Sequence, residues 1–249
     1  MNLVSASVTD RIGSVRLTDA AHRNVLSPEM SDQLGAAVAE VLEQGAAALV
    51  LTADPPVFCS GGSLDALIER ARPLTDLYVG FNALTDCPVP TIAVVCGAAI
   101  GAGVNLPLAC DVIIAGQSAK FDPRFLDVGI HPGGGHLWRL MQRVGEQGAA
   151  ALSLCGDSLD GAEAAAVGLA WRCVADEQAE ALAIKFAKRA ASRDSELVRR
   201  TKQTIRDSRP LTTPQQAAEL ELVAQQWSVD RPDFADGVRR IQQQLAARR

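Results

Sequence analysis

The chain has no C-x-x-C pair, although it carries six cysteines. Cys59, Cys87, Cys96, Cys110, Cys155 and Cys173 are scattered, which excludes the usual zinc and redox spacings. No secretory leader stands in residues 1–10, so the cysteines read as reduced thiols and the expected location is cytoplasmic. A basic block is missing too. Lys and Arg number 24 against 29 Asp and Glu, a net charge of −5, which argues against nucleic acid as the main partner. An uncharged stretch, Pro88–Cys110, has the length of a membrane span. Three prolines, three glycines and Asn105 interrupt it, and it splits into a strand-like and a helix-like half, so no membrane partner is expected. Three Gly-rich signatures are absent. Gly101-Ala102-Gly103 lacks the third glycine of a dinucleotide fingerprint, because position 106 is Leu; there is no G-K-[ST] and no G-x-S-x-G.

What the 249 residues do hold is ordinary globular composition, 48% apolar and 21% charged, with room for a sizeable core. Val4–Val8 and Ile12–Leu17 predict a hairpin split by Thr9-Asp10-Arg11. Ser27-Pro28-Glu29 predicts a helix start, followed by Met30, Leu34, Val38 and Val41 at helical spacing. Ala48–Thr52, Thr91–Cys96 and Val112–Ala115 are short apolar runs, typical of strands buried in a parallel sheet. Short helices are expected at Leu64–Ala71, Ala102–Cys110 and Leu137–Val144. Beyond Gly156 the chain turns Ala-rich and helical, at Gly161–Val167, Glu177–Ala191, Ser195–Asp207 and Pro214–Trp227. The expected class is therefore α/β, with a helical C-terminal part.

Two turns of small residues follow two of the buried strands: Phe58-Cys59-Ser60-Gly61-Gly62-Ser63-Leu64, and Cys96-Gly97-Ala98-Ala99-Ile100-Gly101-Ala102-Gly103. Each leads into a helix. Backbone N–H groups at such turns point at a ligand, and two converging N–H groups make an oxyanion hole. Glycines placed for tight packing alone would give the same pattern.

These segments resemble the enoyl-CoA hydratase/isomerase (crotonase) superfamily over nearly the whole chain. His22-Arg23-Asn24-Val25-Leu26-Ser27 resembles its R-N-A-L-[NS] segment. Phe58–Leu64 resembles F-C-A-G-[GA]-D-L, and Gly97–Ala115 resembles G-x-A-x-G-G-G-x-E-L-A-L-A-C-D-x-x-x-A. Ala119-Lys120-Phe121 and Val128–Gly135 fit the segments that follow. The resemblance implies a ββα spiral core over residues 1–190 and a helical trimerisation region over 191–249. It implies a homo-trimer or hexamer acting on an acyl-CoA thioester, with CoA entering as part of the substrate, no permanent cofactor and no metal. It assigns the N–H groups of Gly62 and Ala102 as oxyanion donors. It places Arg23 near CoA phosphates, Val25 and Ser60 at the adenine, and Lys202 near the CoA of a neighbouring subunit.

The chain departs from the family at the residues that carry hydration. The first hydratase glutamate falls at Asn105 and the second at Phe125, neither of which exchanges protons at neutral pH. Ser63 replaces an aspartate, and Pro107 lies inside the short helix. A replacement acid/base group is sought in the loop after Val128-Gly129-Ile130, His131-Pro132-Gly133, where His131 is the first candidate; Asp127, just before that segment, is the second. His136, near a helix start, reads as a capping or packing residue. The expected function is enoyl-CoA hydratase- or isomerase-like chemistry with a stabilised thioester enolate. A protein that binds acyl-CoA but has lost the catalytic carboxylates is the alternative.

Overall fold

The computed structural model describes residues 2–247, which divide into two units between Ser192 and Arg193. In the first unit, β1 (Val4–Thr9) and β2 (Ile12–Leu17) form the expected antiparallel hairpin, with Thr9 opposite Ile12. Helix α1 (Pro28–Glu43) starts where the sequence says it should. The Ser27 hydroxyl accepts from the Met30 N–H at 3.1 Å, a cap contributing about 1 kcal/mol. Met30, Leu34, Val38 and Val41 then fall on its buried face.

After β3 (Ala48–Ala53) come α2 (Leu64–Glu69), a 3-10 turn at Leu74–Tyr78 and α3 (Val79–Asp86). Strand β4 (Thr91–Val95) is followed not by a simple turn but by a second short strand, β5 (Ala98–Ile100). This corrects the sequence expectation of one strand running into one turn. Next are a 3-10 turn at Gly101–Val104, α4 (Asn105–Ala109), β6 (Val112–Gly116) and β7 (Lys120–Asp122). The unit closes with α5 (His136–Leu154, two helical pieces meeting at a kink at Gly145), β8 (Leu159–Asp160), α6 (Gly161–Ala166), β9 (Arg172–Val174) and α7 (Asp176–Ala191).

The strands make a six-stranded sheet in the order β1-β2-β3-β4-β6-β9 and a three-stranded sheet in the order β5-β7-β8. All neighbours in the large sheet are parallel except β1 and β2. Both faces are covered, which is why β3 and β4 are apolar along their length. On one face α7 presents Ala179, Ala183, Ala187 and Ala191, one residue per turn. These small side chains pack in a cluster with Val50, Ile92, Val94 and Ile114. The other face carries the main core, with Leu49, Leu51, Phe58, Phe81, Leu106 and Phe121.

The second unit is helical: α8 (Ser195–Asp207), α9 (Pro214–Val229) and α10 (Phe234–Ala246). Within it, Arg231 pairs with Asp194 at 2.6 Å, and the Trp227 ring lies under the Arg200 guanidinium at 3.9 Å.

Candidate functional site

The two small-residue turns lie side by side. A parallel bridge joins Cys59 to Ala99. The Cys59 N–H donates to Ala98 O at 3.0 Å and the Ile100 N–H to Cys59 O at 2.9 Å. Two glycines make this approach possible. At Gly61 φ is +107°, and a Cβ there would stand 2.9 Å from Ile100 O. A Cβ on Gly103 would fall 2.6 Å from Cys59 O, so the helical turn carrying Ala102 can seat against the first turn only without a side chain.

Gly62 is clamped from both flanks without spending its own N–H. The Leu26 N–H donates to Gly61 O at 2.8 Å, and the Ser63 N–H donates to Leu26 O at 3.0 Å. Ala102 is the second residue of its 3-10 turn, where N–H groups have no acceptor within the helix. Gly62 and Ala102 are close: a Cβ on Gly62 would meet the Ala102 Cβ at 3.6 Å.

Both residues line a cavity of about 530 Å³. Its walls are mainly apolar and include Leu26, Leu67, Leu77, Phe81 and Ile130. The segment Asp65–Cys87 supplies several of these, through α2, the 3-10 turn and α3. Ser60, Asn105, Phe125 and His131 line the same space, as does Arg124.

The other sequence-designated residues fall outside that lining. Asp127 is exposed on a 3-10 turn, Leu126–Val128. Arg23 is exposed in a left-handed conformation, with φ +57°. Its carbonyl accepts from the Ser60 N–H at 3.0 Å, and the Val25 N–H donates to His22 O at 3.2 Å, so Arg23, Val25 and Ser60 belong to one local structure. Lys202 belongs to the other unit, on α8, where it is buried.

His131 is exposed at the cavity, and its Nδ1 lies 2.7 Å from Pro132 O. A carbonyl only accepts, so in the neutral ring Nδ1 carries the proton and Nε2 is the proton acceptor. Cys59 is buried, and that burial pushes its thiol up to about 11, which keeps it protonated and poor as a nucleophile. Burial would raise the Asp122 carboxyl, but bonds from Arg124 and Lys120 overcome this and hold it below its ordinary value.

His136 carries more of the site than its place at a helix start suggests. It is buried at the first position of α5, with Nδ1 2.8 Å from Asn105 Oδ1 and its ring edge-on to Phe125 at 4.9 Å between centroids. Burial, with Arg139 nearby, pushes its pKa down from 6.5 to about 4. A native state that refuses a proton the unfolded chain accepts loses stability as pH falls. The loss runs from about 6.5 to about 4 and amounts to roughly 3 kcal/mol. Denaturant titrations across this window should show that slope, and His136→Phe should flatten it. An unchanged slope in His136→Phe would place the proton uptake elsewhere.

The layered α/β architecture and the paired turns at the head of an apolar cavity define a protein of crotonase-type fold. A solved enoyl-CoA hydratase structure from Streptomyces coelicolor A3(2), described as putative, superposes with a TM-score of 0.87 at 27% identity, covering 97% of this chain and 92% of that one. The family model for enoyl-CoA hydratase/isomerase matches residues 8–242, and the chain belongs to that family. A "Probable enoyl-CoA hydratase EchA14" of Mycobacterium tuberculosis is 41% identical over 243 residues, 93% of this chain and 94% of that protein. A "Probable enoyl-CoA hydratase" of Rhodobacter capsulatus is 36% identical over 174 residues, 68% of this chain and 67% of that protein.

Proposed function

We propose that this protein processes an acyl-CoA thioester by stabilising its enolate between the N–H groups of Gly62 and Ala102. One observation carries the reading: two turns are braced by glycine so that Gly62 and Ala102 meet at the head of an apolar cavity. Loss of an α-substituent moves an electron pair onto the thioester oxygen. Two fixed donors then gain strength as the charge grows, which lowers the barrier rather than merely binding the ground state.

In this reading Asn105 and Phe125 stand where a hydratase has its two glutamates. Both line the cavity, so the site is shaped for a substrate but lacks the carboxylates that handle water. His131 offers Nε2 as acid/base, and it faces the cavity while Asp127 does not. CoA would lie toward Arg23, Val25 and Ser60, with Lys202 supplied by a neighbouring subunit. A second reading, acyl-CoA binding without turnover, is favoured by one observation: among the described residues no Asp or Glu lines the cavity.

Turnover of a panel of enoyl- and acyl-CoA thioesters, measured beside CoA-thioester binding by calorimetry, separates the two. Turnover of any thioester that stops in His131→Ala supports the enzyme. Micromolar binding with no turnover supports the second reading, and no binding contradicts both.

The same reading makes the protein a trimer or a multiple of it. Leu222, Val223, Phe234, Ile241 and Leu245 of the helical unit are exposed in the single chain. Light scattering at micromolar concentration should give at least three times the mass of the chain. A monomer would contradict the assembly.

A further inference from the structure

We infer that the cavity takes a thioester whose acyl group carries a carboxylate, held by the Asn105 amide, which His136 fixes as a donor, and by Arg124. This rests on the proposed thioester site and names its substrate class.

Two hydrogen bonds orient the Asn105 amide. Asn105 Nδ2 donates to Gly133 O at 3.4 Å, and Asn105 Oδ1 lies 2.8 Å from His136 Nδ1. Turning the amide over would set two acceptors, Oδ1 and Gly133 O, against each other. Oδ1 therefore accepts from His136, whose proton sits on Nδ1. The rest of the ring agrees, because Nε2 is buried with no hydrogen-bond partner. With a pKa near 4, the imidazole is neutral at physiological pH and keeps one N–H, the one Asn105 uses. His136 is 1% exposed and its ring is wedged by Phe125, so this arrangement has little freedom to reverse. Where a hydratase would place an acceptor, the cavity lining holds an amide with a second N–H beyond the one given to Gly133 O.

Charge points the same way. Arg124 lines the cavity and is 45% exposed. Its Nη2 bonds Asp122, a carboxylate that Lys120 shares at 3.3 Å. Asp127 also acts on Arg124, from the exposed turn outside the cavity lining. A guanidinium has five N–H donors, so several remain for a ligand. Among the described residues lining the cavity there is no acid to repel an anion. A purely hydrocarbon acyl group would offer these donors no acceptor, whereas a carboxylate would accept charge-assisted bonds from them.

The test compares thioesters of equal chain length: succinyl-CoA against butyryl-CoA, and glutaryl-CoA against valeryl-CoA, by calorimetry on the full-length protein. The carboxylate member of at least one pair should bind about tenfold tighter or better. Asn105→Asp should reverse that preference, since it puts an anion in the donor's place. His136→Phe should weaken it severalfold, leaving the share that Arg124 contributes. His136→Asn should keep it, because the Asn Nδ2 donor lies as many bonds from Cα as the His Nδ1 donor. That rescue separates positioning of Asn105 from mere support of the fold. Equal affinities within twofold in both pairs would overturn the inference while leaving the thioester site standing. An undiminished preference in His136→Phe would overturn the role given to His136. Failure of every thioester to bind would overturn the site itself.

Discussion

Hydration of crotonyl-CoA by this protein is expected to run at least ~10⁴-fold slower than by an enzyme with both catalytic carboxylates, because each general acid/base group contributes about 10²–10⁴-fold. Syn addition of water needs a base on the water and an acid for the α-carbon. At the two positions read as carboxylate sites, Asn105 offers an amide locked by His136 and Phe125 offers no polar atom. The double change Asn105→Glu plus Phe125→Glu should raise hydration from that floor. Pro107, at the third position of α4, limits how far the helix can adjust around a longer side chain. The assay is the loss of enoyl-thioester absorbance on adding crotonyl-CoA. Wild-type hydration at ordinary hydratase rates would show that acid/base chemistry has been assigned wrongly. If that activity vanished in His131→Ala and persisted in Asn105→Ala, His131 would be the replacement.

Gly62→Pro should cost a factor of about 10²–10³ or more in whatever thioester reaction the protein performs, by removal of one oxyanion donor. The site suits this substitution as a probe. The bonds that flank Gly62 use the carbonyls of Gly61 and Leu26 and the N–H groups of Leu26 and Ser63, so the ladder does not depend on the Gly62 N–H. A Cβ there meets only the Ala102 Cβ, at an ordinary contact distance of 3.6 Å. An unchanged circular dichroism spectrum and melting temperature alongside the lost rate would assign the effect to the donor. Full activity in a folded Gly62→Pro protein would remove Gly62 from the mechanism.

The legible part of this molecule was local. The helix start at Ser27-Pro28, the apolar runs of β3, β4 and β6, and the bounds of α8 all follow from cap chemistry and periodicity over a few residues. Pro107 did not abolish the short helix after Ala102; a 3-10 turn carries the chain to Asn105, and α4 starts there, so the proline sits in a first turn where its missing N–H costs little. The small sheet was not legible, because β5, β7 and β8 hold only two or three residues each and are defined by their partners. α10 carries a helical signal in Phe234, Val238, Ile241 and Leu245 that stands outside the sequence expectations. At the site, Gly62 and Ala102 could be named from motifs, and the structure shows the glycine contacts that bring their turns together. The His136–Asn105 pair could not be read, because its partners are 31 residues apart and neither belongs to a motif that requires the other. Arg124 likewise gains its meaning only from the cavity it lines.

The most direct measurement is a crystal structure of the protein with a slowly reacting or non-reacting acyl-CoA thioester. The account predicts the thioester oxygen about 2.7–3.1 Å from both the Gly62 and Ala102 nitrogens, with the acyl chain in the cavity beside Asn105 and Phe125. A thioester carbonyl turned away from both nitrogens would contradict it.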